Sequence, residues 1–308
     1  MVSEHKKRKF DPSLLGHTFA WCSLGNSSSA IVAGLMADTV AGFFGPVGPL
    51  LSTIPFLLVA FVVPFFMWDE NYGNASISLR TTLGQGVAAI AGSRHVFLLG
   101  LMQTLFEGSM HVFVFMWTPT LQGISGVEKK ELPLGQIFSC FMACMAVGSS
   151  TYSLLLQWIT SGKESKSEVV GAKVFLLAGA SFLATFMVNR FELAVLSFVM
   201  FEVTCGLYFP MISTLRSQHI PEKSRAAVMS LFRLPVNIVV VLVLIWSSSW
   251  PSQQVFLVLA MCQLVAALAY VTFQSLPKTV ANDKGYFPAI AGYCGGGVAA
   301  GVAKAKAN

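Results

Sequence analysis

The chain has 308 residues, of which 55% are hydrophobic and only 11% are charged, and its formal net charge is +6. Soluble globular proteins are about 25% charged, so this composition argues against a soluble enzyme, a disordered protein or a nucleic-acid binder. Apolar residues recur without the strict alternation of a barrel strand. The sequence therefore predicts an all-α, polytopic membrane helix bundle.

Eight apolar stretches are long enough to cross a bilayer core of about 30 Å as helices. In chain order, the predicted spans are Phe19–Phe43, Val47–Met67, Val96–Trp117, Leu134–Trp158, Ala172–Val188, Leu193–Ile212, Ala226–Trp246 and Val255–Leu276. Between the second and third spans, residues 79–91 predict a short helix on the cytosolic membrane surface. The Gly/Ala-rich tail, residues 277–308, is predicted to be disordered.

The positions of the basic residues predict the orientation of these spans. Sixteen of the 20 Lys and Arg residues lie on one side, in segments that include residues 1–13, residues 69–95 and the tail. Because Lys and Arg are enriched in cytosolic segments, both termini are predicted to be cytosolic. This asymmetry accounts for the positive net charge, so no nucleic-acid partner is predicted.

The third predicted span carries three polar side chains at successive i, i+4 positions: Gln103, Glu107 and His111. They share one helix face, where each lies within hydrogen-bonding reach of the next. An ionisable residue inside a span is costly unless it is paired or hydrated. Two interpretations of Glu107 stay open: a place in a transport cavity, or a buried structural network with its two neighbours.

Two later spans carry further polar side chains. Glu202 lies about 14 Å from one end of the sixth span, which puts it near the middle of the membrane, like Glu107. The seventh span contains Arg233 and, one turn further on, Asn237. Arg233, about 10 Å deep, either extends its long stem to the cytosolic surface or pairs with a substrate or a carboxylate.

The segment 96–276 contains a faint inverted repeat. Each of its two triplets of spans opens with a helix that holds a Phe-Glu pair, at residues 106–107 and 201–202, and that is predicted to break at Pro119 or Pro210. Inverted three-helix repeats around a midplane site are typical of secondary transporters. The sequence contains no HExxH, GxSxG or Walker motif and no metal-ligand spacing, so we predict no enzyme activity, cofactor or metal.

Four segments of the chain carry a specific resemblance: WDENYG (68–73), GLMQTLFEGSMHVFVFMWTPTL (100–121), FEVTCGLYFP (201–210) and IPEKSRAAVMSLFRLPVN (220–237). With these motifs the chain resembles the molybdate-anion transporter family, a branch of the major facilitator superfamily. The resemblance implies a carrier with two six-helix halves that moves molybdate across a membrane by alternating access.

The same resemblance implies a division of the chain. Residues 14–68 correspond to the last two helices of the amino-terminal half, residues 69–95 to the central cytosolic loop, and residues 96–276 to the whole carboxyl-terminal half. The first four helices of the family have no counterpart, which implies a truncated chain with a partial facilitator fold.

We expect the polar side chains of the spans to have the following roles. The predicted substrate or cavity residues are Gln103, Glu107, His111, Glu202, Arg233 and Asn237. Arg233 or a protonated His111 would supply positive charge for the oxyanion. Glu107 and Glu202 would be gate pairs or proton-coupling carboxylates, because an isolated carboxylate would repel molybdate.

The expected partners are molybdate or a similar oxyanion and the lipid bilayer, with the plasma membrane as the expected location. Two alternatives stay open. The first is a facilitator for another small solute, such as a sugar or an organic anion. The second is a non-transporting membrane protein that associates with itself or pairs with a full-length carrier.

Overall fold

The computed structural model describes residues 8, 14–68, 79–125, 132–160, 167–187, 189–247, 251–277, 279–282 and 285–288. In these residues the helices are α1 (Leu14–Phe44), α2 (Gly48–Met67), α3 (Leu79–Gly92), α4 (Arg94–Ser125), α5 (Leu134–Thr160), α6 (Ser167–Met187), α7 (Phe191–His219), α8 (Glu222–Ser247) and α9 (Ser252–Ser275). Two short strands follow, β1 (Thr279–Asn282) and β2 (Gly285–Pro288).

The predicted all-α membrane bundle is confirmed. Each of the eight predicted spans coincides with a helix, and residues 79–91 also form a helix, α3, whose place on the membrane surface stays a prediction. Within the described residues, seven helices are long and apolar enough to cross a membrane, while the apolar part of α6, Gly171–Met187, is shorter. Between α1 and α2, Gly45 adopts a positive φ of 74°, a conformation that glycine reaches without a steric penalty.

The predicted breaks at Pro119 and Pro210 are wrong. Both prolines lie inside continuous helices, α4 and α7. Proline removes one main-chain hydrogen bond, but helices in membranes tolerate this loss because neighbouring groups can satisfy the freed carbonyls. Beyond Pro210, α7 continues for two more turns to His219, so residues that the sequence assigns to a loop belong to the helix.

The helices α4 to α9 form one bundle with α4 and α7 at its centre. Helix α4 packs against α7, α8 and α9, and α7 also packs against α5 and α6. Helices α4 and α7 are antiparallel, because Phe106 stacks on Tyr208 while Phe113, two turns later in α4, contacts Phe201, two turns earlier in α7. Helix α1 packs against α5, and α2 packs against α1.

Aromatic side chains fill the centre of the six-helix bundle. The fully buried members of this core are Phe106, Phe113, Phe141, Phe175, Phe182, Phe198, Phe201, Tyr208 and Phe256. The closest pair is Phe106 and Tyr208, whose ring centroids lie 3.9 Å apart at an interplanar angle of 12°. Such pairs contribute about 1 kcal/mol beyond their buried area, so this core fixes the register between α4 and α7.

The segment predicted to be a disordered tail begins with a two-stranded antiparallel hairpin in which Thr279 is opposite Pro288. Its Val, Tyr and Phe residues favour extended backbone. The prediction for residues 289–308 lies outside the described residues, as does most of the basic segment 1–13.

Candidate functional site

Glu107 is the centre of a polar cluster between α4 and α7. On its own helix, Gln103 Nε2 donates a hydrogen bond of 3.1 Å to Glu107 Oε2. The His111 ring lies on the same side, but its Nδ1 is 2.6 Å from the main-chain carbonyl oxygen of Glu107 and therefore donates to the backbone. The structure thus joins Gln103 to the carboxylate and leaves His111 outside the carboxylate's own contacts.

Two residues of α7 complete the cluster. Arg216 Nη2 forms an ion pair of 2.7 Å with Glu107 Oε1, and the Tyr208 hydroxyl donates to the same oxygen at 3.3 Å. The carboxylate therefore receives three donors from two helices. We call Gln103, Glu107, Tyr208 and Arg216 the Glu107 cluster.

Arg216 is not among the predicted site residues, because the predicted span ends at Ile212 and leaves Arg216 in a cytosolic loop. Side chains on a helix tilt towards its amino terminus. Arg216 lies in the last turn of α7, so its side chain points back into the bundle. The Glu107 side chain tilts towards the amino terminus of α4. Because α4 runs antiparallel to α7, this direction is opposite to that of Arg216. A signal was available: helical periodicity continues beyond Pro210 for two turns.

The Glu107 cluster is largely shielded from solvent. The side chains of Arg216 and Glu107 are 13% and 16% exposed, and Gln103 is buried. Two buried atoms, Arg216 Nε and Gln103 Oε1, have no hydrogen-bond partner among the described residues. The opposite charges compensate each other, so Glu107 does not present an isolated negative charge.

Glu202 does not join this cluster. It is buried in α7, and no hydrogen bond or ion pair of the described residues links it to Glu107. The antiparallel register explains the separation: Phe201 lies opposite Phe113, six residues or about 9 Å along α4 from Glu107. The sequence predicts that Glu107 and Glu202 lie together near the middle of the membrane. In the structure they lie at two different levels along the bundle.

Arg233 and Asn237 share one face of α8, and both are exposed. Arg233 lies seven residues beyond Ala226, where the predicted span begins, which corresponds to about 10 Å. Among the described residues no ion pair reaches its guanidinium. His111 of α4 is also exposed. These three side chains lie outside the packed core, unlike Gln103 and Glu202.

Among the residues that the structure describes, no three His, Cys, Asp or Glu side chains are grouped so that they could hold a metal ion. The side chains of the Glu107 cluster and Arg233 supply fixed charges and hydrogen bonds. A paired Glu and Arg can exchange partners with an incoming anion, and an unpaired Arg can attract one.

Comparisons with known proteins agree with this architecture. The profile of a major facilitator family described as sugar transporters with 12 transmembrane helices matches residues 1–201. The chain is 35% identical over 293 residues to a molybdate-anion transporter of Xenopus laevis and 33% identical to one of Xenopus tropicalis, covering 91% of this chain in both cases. A molybdate-anion transporter of Takifugu rubripes is 32% identical over 252 residues, which cover 72% of this chain and 50% of that protein.

The match to the two frog proteins spans 62% of their length. A solved structure, that of a bacterial homologue of the human lysosomal transporter Spinster in an inward-facing and unoccupied conformation, superimposes with a TM-score of 0.57. It is 13% identical in sequence, and the superposition covers 85% of this chain and 71% of that one. At this identity the similarity concerns the fold.

Proposed function

We propose that this chain, which belongs to the molybdate-anion transporter family of the major facilitator superfamily, takes part in secondary transport of molybdate or a related oxyanion by alternating access. In this proposal, residues 96–276 are the carboxyl-terminal facilitator half, and α1 and α2 occupy the places of the fifth and sixth helices. Both termini lie in the cytosol, on the side of the sixteen basic residues, and the membrane is the plasma membrane.

The observation that carries the proposal is the position of Arg233. A charged side chain in a span is costly unless it is paired or hydrated. Arg233 is exposed and, among the described residues, has no ion-pair partner. It lies about 10 Å beyond Ala226, where the predicted span begins, on the same helix face as Asn237. A water-filled cavity that attracts anions explains this arrangement, and His111 and Asn237 would add donors.

The Glu107 cluster has a different role in this proposal. Glu107 is compensated by Arg216 at 2.7 Å, so it does not repel an oxyanion. An anion that reaches Arg216 would compete with Glu107 for the guanidinium. Glu107 would then be separated from its cation. The pair would then couple anion movement to proton movement, while Glu202, at its separate level, would be a second proton-coupling or gate carboxylate.

The test is uptake of molybdate by a host cell that lacks molybdate transport and expresses the full chain. We expect Arg233→Gln to lower uptake at low molybdate at least tenfold, with normal amounts of protein in the membrane, and Arg233→Lys to retain part of it. Arg190→Gln is the matched control, because Arg190 is an exposed arginine just before α7 and should leave uptake unchanged. Equal uptake by the parent and Arg233→Gln would refute the role of Arg233.

A second candidate substrate class is favoured by the family profile, whose description names sugar transporters. Competition separates the two classes. Tungstate and sulfate should inhibit uptake of molybdate by an oxyanion carrier, because they share its charge and tetrahedral shape, and glucose should not. Uptake of labelled glucose that is insensitive to tungstate would replace the oxyanion proposal. A chain that moves neither solute but co-purifies with a longer carrier would indicate a non-transporting partner.

A further inference from the structure

A carboxylate of α1 binds the amino-terminal end of α5. Asp38 Oδ1 accepts a hydrogen bond of 2.7 Å from the main-chain N–H of Gly135, and Oδ2 accepts one of 2.9 Å from that of Gln136. Because α5 begins at Leu134, these N–H groups belong to its first turn and have no partner within the helix. A negative charge is also favoured at this end of a helix dipole. Asp38 is therefore a helix cap supplied by another helix.

Close packing of the two backbones continues from this cap into the membrane. Ser139 Oγ donates to the main-chain oxygen of Ile31 at 2.8 Å. A Cβ on Gly34 would collide with Ser139 Oγ and lie 2.7 Å from the oxygen of Gly135, and a Cβ on Gly135 would collide with the oxygen of Gly34. Only glycine at these two positions permits so short an approach.

This seam is the main connection between two regions of the protein. Helix α1 joins the six-helix bundle chiefly through α5, and α2 packs against α1. Most of the side chains described for α1, and nearly all of those of α2, are otherwise exposed or half-buried. In the orientation that the basic residues predict, Asp38 and the first turn of α5 lie at the non-cytosolic ends of their helices.

We propose that Asp38 is an outer latch: it holds α1 against α5 while the cavity is closed to the outside, and its two hydrogen bonds break when the cavity opens outward. The inference rests on the proposed alternating access. The latch is polar and small in area, so it can break and re-form. The glycines beside it bring the carboxylate within reach without a large apolar interface.

The experiment measures opening of the seam in the full chain in membranes, without substrate. The reporter is Ser139→Cys, placed in a chain whose native cysteines are replaced by serine, because Ser139 is buried in the seam. A membrane-impermeant maleimide added from outside labels it when α1 moves away from α5. We expect Asp38→Asn to raise the labelling rate about tenfold, the change that loss of a charged hydrogen bond makes in an equilibrium. Gly34→Ala should act in the same direction.

Two variants on the same helix are matched controls. Thr39→Val removes a hydroxyl that bonds to Leu35 of its own helix, and Gly42→Ala adds a methyl group that meets nothing within 4 Å. Both should label at the parent's rate. The latch is refuted if Asp38→Asn and Gly34→Ala label like the parent, or if the controls label as fast as they do.

A further variant, Asp38→Glu, keeps the labelling test decisive where Asp38→Asn or Gly34→Ala folds poorly. The Asp38→Glu variant retains the charge on a longer side chain and should label more slowly than Asp38→Asn at equal expression; a rate equal to that of Asp38→Asn overturns the role of the charge. Labelling requires no transport. Faster labelling of Asp38→Asn in a chain that moves no oxyanion therefore supports the latch and contradicts the proposed function. Normal oxyanion uptake with an unchanged labelling rate supports the proposed function and contradicts the latch.

Discussion

Helices α2 and α4 differ in a way that hydropathy does not anticipate. The mean hydropathy of the α2 span is 2.4 and that of the α4 span is 1.3, yet α4 is the more deeply buried of the two. In α2, only Gly48 is buried. A helix that faces lipid needs apolar side chains on its whole circumference, whereas a helix inside a bundle can hold polar side chains that neighbouring helices satisfy. Of these two helices, the less apolar one is therefore the one packed inside the bundle.

Removing an aromatic ring should give the largest difference in the free energy of unfolding between α2 and the bundle core around α4. Phe106→Ala removes a fully buried ring from the bundle core and should lower the free energy of unfolding by about 4 kcal/mol. Phe61→Ala removes a ring of α2 that is 68% exposed and should change it by less than about 0.5 kcal/mol. Thermal unfolding in detergent compares the two. Equal losses would mean that α2 packs against protein.

The next largest effect concerns the ion pair of the Glu107 cluster. Arg216→Gln leaves Glu107 as a shielded, unpaired charge and should destabilise the fold by about 3 kcal/mol. Glu107→Gln in the same chain should restore most of this loss, because two neutral amides require no charge compensation. A double-mutant cycle on the same unfolding measurement gives the coupling. Additive losses would contradict a direct pair.

A smaller loss of stability is expected when a glycine at a close contact between two helices is replaced by alanine. A Cβ on Gly206 would collide with the main-chain oxygen of Met145 and lie 2.7 Å from the N atom of Ser149, so Gly206→Ala should force α5 and α7 apart at a cost of about 2 kcal/mol. Gly42→Ala, in α1, meets nothing within 4 Å and should be neutral or slightly stabilising. A neutral Gly206→Ala would show that these helices slide without strain.

The smallest effect is a pH dependence at the end of α7. His219 lies beyond the apolar span and stacks on His95, with 5.2 Å between ring centroids. Burial lowers the pKa of His219 below its usual value of 6.5. The unfolded chain therefore binds the proton more readily, so the free energy of unfolding should fall as the pH drops through 6.5 and change little above it.

The measurement is the melting temperature in detergent from about pH 8 to about pH 5, for the parent and for His219→Gln. Other groups titrate in both chains, so the difference between the two curves reports on His219. The variant should lose less stability on acidification than the parent. Parallel curves would show that the burial of His219 is not maintained in solution.

Local sequence patterns were sufficient for the helices and for part of the site. The i, i+4 spacing placed Gln103 within reach of Glu107, and a hydrogen bond of 3.1 Å joins them. The span prediction failed at the end of α7: it stopped at Ile212, whereas the helix continues to His219, and so it assigned Arg216 to a loop. Spacing within one helix also could not separate Glu107 from Glu202, because their levels depend on how α4 and α7 are aligned.

By itself, the sequence determined that the chain spans a membrane and where its helices lie. These properties follow from composition and local periodicity, which act along one segment at a time. Only the tertiary structure decided which charges meet. The antiparallel packing of α4 and α7 brings Arg216 to Glu107, 109 positions apart, and the approach of α1 to α5 brings Asp38 to Gly135, 97 positions apart. Such contacts depend on the packing of whole helices, which no local pattern specifies.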